Sequence, residues 1–332
     1  MVPRVQALLP AAVTTVPGRG RRPTSAEIAA FQASLLAWYD ENARQLPWRE
    51  TRDPCRILVS EVMLQQTQVD RVLGYYRDFL LALPDEPSLA AAPTSKVISL
   101  WAGLGYNRRA VNLQRAVTAV VQDLAGSWPM VPEELQLLPG IGPYTAGAIS
   151  CFAFEQDVVF LDTNMRRVLH RYFLGPEIPQ PLASEREILG IAGLVLPIGD
   201  AWRWNQALIE FGALQCTARK PACVVCPLRS GCKAAPSIHS AIAVAGRKKP
   251  GEAIPFTSTN RYWRGRIIDA LRDDADHRLD AQKLGALIRP EFHAGDLPWL
   301  RNLAEALSKD GLLVITESRA RASGGWIASL PE

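Results

Sequence analysis

Four of the chain's six cysteines, Cys216, Cys223, Cys226 and Cys232, form a C-x6-C-x2-C-x5-C run. Thiolates this close hold one inorganic centre, either a structural zinc or a [4Fe-4S] cluster, since both take tetrahedral sulfur ligation from short loops. Thr217–Pro221 and Pro227–Gly231 supply the loops. Two disulfides are the competing reading. The small cysteine count and the lack of a secretory leader pattern weigh against it.

With 332 residues, 48% of them apolar, the chain is long enough for two cores and a small third unit. No apolar run approaches the roughly 20 residues of a membrane span. Residues 1–24 are rich in Pro and Arg, contain no acid and read as a disordered basic arm. Arg4, Arg19, Arg21 and Arg22 account for the whole formal charge of +4, so global charge says little about partners. One local patch stands out. Between Glu210 and Glu252 there is no acid, while Arg219, Lys220, Arg229, Lys233, Arg247, Lys248 and Lys249 interleave with the cysteines, a pattern suited to phosphate.

From Ser25 to about Cys232 the periodicity is helical almost throughout, giving a mainly α fold. Ser25 is placed to cap a helix to Asn42, and Asp53-Pro54 opens a long one through Leu81. Further helices fit 94–101, 108–125, 132–137, 143–154, 164–172, 184–196 and 202–214. Residues 234–258 have linker composition. Residues 259–332, with helices at 261–271, 281–288 and 297–309 and an extended 312–316, read as a small winged-helix-like unit. Cys55 and Cys151 sit in apolar helical surroundings as core residues.

Leu138-Pro139-Gly140-Ile141-Gly142-Pro143-Tyr144-Thr145 joins two helices through a tight turn. Gly140 and Gly142 permit positive φ, and Pro143 suits a first helical position, so amides at the helix start are left to cradle a phosphate or simply to make a turn. Glu61 has Ile57, Leu58 and Leu64 among its helical neighbours. Burial would raise its pKa and suit it to general acid work, and a glutamate at a helix edge is the other reading. Asp162 follows the apolar run 158–161 at an N-cap position, where the helix dipole would hold it ionised. A buried acid and a pinned carboxylate together suit glycosidic bond cleavage through an oxocarbenium-like state.

In order along residues 30–233, Leu46-Pro47-Trp48-Arg49, Ser60 to Gln68, Gly103-Leu104-Gly105-Tyr106, Leu138 to Ile149, Leu161 to Asn164, Asn205 to Leu208 and the four cysteines resemble the helix-hairpin-helix DNA glycosylase superfamily, specifically its MutY-type adenine glycosylases. The resemblance implies a two-lobed fold, with a six-helix lobe at about 50–165 carrying the hairpin 138–147, and an iron–sulfur lobe from 25–49 and 166–233. It implies a [4Fe-4S] cluster and a hairpin, with Gly140, Gly142 and Thr145, that grips duplex DNA bearing a purine mispair. Glu61 would protonate flipped adenine and Asp162 would stabilise the sugar cation. Tyr144 and Asn164 match active-site positions, Gln66 and Tyr106 wedge residues, Trp48, Arg49 and Gln206 the base-pocket wall, and Arg219 and Lys220 the basic loop. A monomer on DNA, without nucleotide cofactor, in the cytoplasm with the nucleoid, is implied.

Tyr144 stands where the endonuclease III branch carries its Schiff-base lysine, so the resemblance predicts a monofunctional enzyme. Two departures stand out. Asn107 replaces a second tyrosine, and the 74 residues from Thr259 do not fit the family's Nudix-like module, resembling instead the short extension of some actinobacterial members. That tail balances 11 basic against 11 acidic residues and offers no overall electrostatic case for DNA. A thymine glycosylase for T:G mispairs is the nearest rival, opposed by Gln65-Gln66; a non-catalytic DNA-binding protein is another, opposed by the joint presence of Glu61 and Asp162.

Overall fold

The computed structural model describes residues 22–246, 255–317 and 325–332. The basic arm up to residue 21 and the basic residues Arg247, Lys248 and Lys249 lie outside them. In chain order the helices are α1 (Ser25–Asn42), α2 (Pro54–Leu64), α3 (Val69–Ala82), α4 (Glu86–Ala91), α5 (Thr94–Leu100), α6 (Arg108–Asp123), α7 (Pro132–Leu135), α8 (Pro143–Phe154), α9 (Thr163–Phe173), α10 (Glu185–Val195), α11 (Ala201–Leu214), α12 (Ile238–Gly246), α13 (Asn260–Asp273), α14 (Ala281–Ile288) and α15 (Leu297–Lys309). Three strands, β1 (Arg278–Asp280), β2 (Val314–Glu317) and β3 (Trp326–Ser329), and short 3-10 turns at Pro47–Arg49, Cys223–Val225, Phe256–Ser258 and Ala294–Asp296 complete the elements of the described residues.

The chain divides into two compact units. Among the described residues, the first takes in those up to Ile57, Pro129–Gln136 and those from Ile141 to Gly246. Its core forms where α9 and α1 pack on α11, burying Phe31, Leu35, Val168, Trp204, Leu208 and Phe211. Phe31 meets Tyr172, Phe173 and Trp204 within 4.4–5.5 Å between ring centres. Such aromatic contacts add to the area each ring removes from water. Helix α1 is capped by Thr24 rather than Ser25: the Thr24 hydroxyl accepts from the Glu27 amide and the Glu27 carboxylate reaches back, a reciprocal capping box that Ser25, already helical, cannot make.

Among the described residues, the second unit takes in Leu58–Trp128, Leu137–Gly140 and those from Pro255 onward. Helices α4 and α5 pack on α6, burying Leu89, Val97, Leu113 and Val117. The C-terminal residues share this unit. Their core of Ile267, Leu271, Leu284, Leu300 and Leu307 is continuous with Ile98 of α5 and Val111 of α6. Its order, helix, strand, two helices and two strands, with an antiparallel sheet β1-β3-β2, is that of a winged helix. Val314 pairs with Ser329 and Glu317 with Trp326, while Leu279 opposes Ala328.

Two further expectations change. The single helix expected from Asp53 to Leu81 breaks at Gln65–Gln68, where Gln66 takes φ +58°. No Gly or Pro marks the break; Arg109 makes it, as described below. The stretch expected to be linker, 234–258, contains α12, started by the amides of Ser237 and Ile238 bonding the Ala234 carbonyl.

Candidate functional site

Asp162 is the N-cap of α9. One carboxylate oxygen accepts from the Met165 amide at 2.6 Å and the other from Asn164 Nδ2 at 2.7 Å. Burial raises its pKa, against the lowering effect of these bonds and of the Arg167 charge. The helix dipole, expected to hold it ionised, is therefore opposed by desolvation, the larger influence. Asn164 is fixed in turn: its Oδ1 accepts from Arg167 Nη2 at 2.7 Å, and Arg167 also donates to the carbonyls of Gly212 and Cys216 at 2.6 and 2.7 Å. Gly212 allows α11 to come this close. A Cβ there would lie 2.6 Å from that of Asn164 and 2.9 Å from its carbonyl oxygen.

The other end of α9 carries the cysteines. The Lys233 and Ala234 amides bond the Tyr172 and Arg171 carbonyls at 3.0 and 2.9 Å. Arg171, 2% exposed, forks onto Glu177 at 2.8 and 2.6 Å and donates to the carbonyls of Thr217 and Ala218 and to the Cys216 sulfur. All four cysteines line one pocket with Val168, Tyr172, Phe211, Leu228 and Ile238. Among the described residues no three His, Cys, Asp or Glu side chains are grouped tightly enough for a single metal ion. Four thiolates around one apolar pocket are the ligand set that a cubane cluster takes. Burial pushes the thiols of Cys216 and Cys232 up and that of Cys226 to about 11, so ligation requires a strongly cationic centre to draw off their protons. The residues present fit an iron–sulfur cluster. Arg219, Lys220, Arg229 and Lys233 are exposed around it.

Trp48, Arg49 and Gln206 are also in this unit, and Trp48 and Gln206 are buried. Arg49 donates to Gln206 Oε1 at 2.8 Å and to Glu210 at 2.8 Å. Glu210 carries no mark of its role in the sequence. It is fully buried and also takes Arg44 through both oxygens. Burial pushes its pKa up, but the two arginines outweigh that and bring it down to about 2.

The hairpin keeps part of its expected form. Gly140 has φ +75°, and a Cβ on it would lie 2.6 Å from that of Asn112. Gly142 is extended instead, at φ −90° and ψ 176°, as N-cap of α8. A Cβ on Gly142 would meet nothing within 4 Å, so the backbone there is open to an approaching molecule. Tyr144 lies edge-on to Phe160 at 5.7 Å. Thr145 is 3% exposed and packs inward, leaving its hydroxyl little access to a phosphate.

In the second unit Glu61 is 7% exposed on α2, between Ser60 and Val62, which are also buried. Gln66 and Tyr106 are both exposed, and both are non-glycine residues at positive φ, +58° and +50°. One residue that sequence reasoning misses explains the pair. Arg109 Nη1 donates to the carbonyls of Val62, Met63 and Gln65 at 2.6, 3.3 and 2.6 Å, and Nη2 to those of Leu104 and Gly105 at 3.1 Å. These include the last carbonyls of α2, which continued helix would have bonded itself. The side-chain oxygen or amide of Gln66 and the Tyr106 ring are thus presented by strained backbone held from one point.

Residues 59–192 match a profile of the HhH-GPD superfamily of base excision DNA repair proteins, and residues 216–232 match the iron–sulfur binding domain of endonuclease III. Together with the pocket geometry, this makes the four-cysteine centre a [4Fe-4S] cluster. The chain is 42% identical over 218 residues to a Homo sapiens adenine DNA glycosylase, covering 63% of this chain and 40% of that one. It is 40% identical over 241 residues to an adenine DNA glycosylase of Mycobacterium tuberculosis, covering 72% and 77%. The match therefore spans about two fifths of the human relative and about three quarters of the mycobacterial one. A solved thermostable thymine-DNA glycosylase aligns with TM-score 0.59 and 29% identity, over 63% of this chain and 97% of that chain. Identity of 40% over 77% of the mycobacterial protein, with the HhH-GPD and iron–sulfur profile matches, places the chain in the adenine DNA glycosylases of the HhH-GPD superfamily, to which it belongs.

Proposed function

We propose that the protein hydrolyses the N-glycosidic bond of adenine mispaired with 8-oxoguanine or guanine in duplex DNA, and that it does so without cleaving the strand. The observation that carries this reading is the Asp162 carboxylate, part-buried and bonded at both oxygens by donors from its own helix. A fixed anion of this kind lowers the energy of an oxocarbenium-like sugar without rearranging.

Duplex stacking hides the bond, so the adenine must first leave the helix. Gln66 and Tyr106 fill the space it leaves, beside the opposing purine, and Trp48, Arg49 and Gln206 wall the pocket it enters. Glu61, buried on α2, gives a proton to N7 as the C1′–N9 bond breaks and the electron pair leaves with adenine. Water then attacks C1′, its proton returns to Glu61, and an abasic sugar remains. Asn164 holds Asp162 throughout, and Tyr144 contacts the sugar. When bound, the [4Fe-4S] cluster supplies structural cross-linking of the loop that presents Arg219 and Lys220 to phosphate. Gly140 and Gly142 open the hairpin backbone to the same strand. The protein acts as a monomer, with the chromosomal DNA of the cytoplasm as its substrate.

The likeness to a thymine-DNA glycosylase favours one second reading, release of thymine from T:G mispairs. Single-turnover base release from A:8-oxoguanine, A:G and T:G duplexes decides between them. Adenine release from the first two is expected, and thymine release alone would replace the proposal. Borohydride trapping is expected to capture no covalent complex, because Tyr144 offers no amine.

A further inference from the structure

The C-terminal residues carry equal numbers of acids and bases, yet the charges are not evenly placed. At the start of α13, the Arg261 guanidinium lies over the Tyr106 ring, 3.9 Å from its centre. The two border a cleft of about 360 Å³ that also takes in Arg108, Arg109, Arg264 and Asp310. Four arginines and a single acid thus line the cleft, Arg109 with its guanidinium already bonded to backbone carbonyls. Asp310 is already shared between Arg264 and Arg108, at 3.2 Å from the latter. Arg261 has no ion pair among the described residues, and Tyr106 remains 41% exposed beside it. Asn112, on the cleft wall, is the residue against which hairpin Gly140 is packed, so the cleft adjoins the hairpin turn within the same unit.

We propose that this cleft is a binding site for the DNA phosphate backbone, and that Arg261 is a strand contact supplied by the C-terminal residues. A guanidinium resting on an aromatic face keeps its N–H edge available, and holds the ring at the same time. Its natural ligand is a phosphodiester oxygen next to whatever base Tyr106 touches. The C-terminal segment then contributes to the site through a cation that steadies the Tyr106 ring and anchors the strand, and overall neutrality conceals it. This rests on the reading of Tyr106 as a residue at the DNA.

The test uses the full chain with Arg261→Glu, Arg261→Ala and, as a control on the same segment, the exposed Arg278→Glu. Equilibrium binding is measured to an undamaged duplex and to an A:8-oxoguanine duplex across a salt series. Arg261→Glu is expected to weaken both about tenfold and to reduce the salt slope by about one, as loss of one phosphate contact does. Arg261→Ala, which introduces no carboxylate beside Arg109, is expected to lose about threefold by the same reasoning while keeping the wild-type melting temperature. Arg278→Glu is expected to bind as wild type. Wild-type affinity in both Arg261 variants would overturn the proposal, as would an equal loss in Arg278→Glu. Displacement of the duplex by inorganic phosphate at matched phosphate concentration would also overturn it, by making the cleft a small-anion site. Undamaged-duplex binding does not depend on which base is released, so a protein that fails to release adenine yet loses affinity in Arg261→Glu would refute the glycosylase reading and leave this one standing.

Discussion

Asn164 donates its amide to Asp162 at 2.7 Å and accepts at its own carbonyl from Arg167, so Asp162 is oriented by a side chain that is itself oriented. Removing Asn164 should affect chemistry more than folding. Asn164→Ala is expected to slow single-turnover base release by about 10- to 100-fold, the worth of a hydrogen bond to a charged group, at saturating enzyme and with an unchanged duplex affinity. A variant that releases base at the wild-type rate would remove Asn164 from the mechanism.

Gly212→Ala tests the same contact from the opposite helix. The added Cβ would press on Asn164 at 2.6 Å, against both side chain and backbone, so α11 must shift. A destabilisation of about 1–3 kcal/mol is expected, together with slower base release. Denaturant melts and base-release assays on one preparation would check both effects.

Glu210 sets an acid limit on the first unit. Its carboxyl titrates near 2 in the fold, against an ordinary value of 4.5. The stability it contributes, about 3 kcal/mol, is therefore fully present above pH 4.5 and is lost as the pH falls from there through 2. Glu210→Gln should be less stable than wild type at pH 7, and the difference should narrow towards pH 3. Urea melts across that range would show parallel curves if Glu210 were not the group responsible.

Arg109 holds five backbone carbonyls. Arg109→Ala leaves them to water and is expected to cost about 1–3 kcal/mol. Its clearest signature should be local. Amide hydrogen exchange should accelerate at residues 66–68 and 104–107 together, while amides of α9 and α11 keep their protection. Acceleration in only one of the two loops would show that the second has another anchor.

Iron should be required for the cysteine loop to hold its shape. The purified protein is expected to be brown from thiolate-to-iron charge transfer, and Cys232→Ser to lose colour and duplex affinity together. Stoichiometric zinc in a colourless wild-type protein would contradict the assignment.

Features written in adjacent residues are legible in the sequence alone. Pro143, with a run of small and apolar residues behind it, marks α8 from start to end, and the cysteine spacing and the Asp162 N-cap position are equally local. Contacts made across long separations are not. The break after α2 depends on Arg109, 44 residues beyond Gln65, and on a helix an arginine reads as a solvated charge. Arg167, Arg171 and Glu210 are hidden for the same reason, since burial of a charge shows only when its partners do. Strands β1 and β3, three and four residues long, are too short to establish a period of two. The C-terminal charge count misleads differently: it averages over a surface on which Arg261 and Asp310 have separate places.

Because one guanidinium ties the Gln66 turn to the Tyr106 turn, the two segments form a single unit of inheritance. Neither could be exchanged, lengthened or grafted onto another scaffold without Arg109 and the helix end it caps, so variation that retunes one turn must be compatible with the geometry of the other.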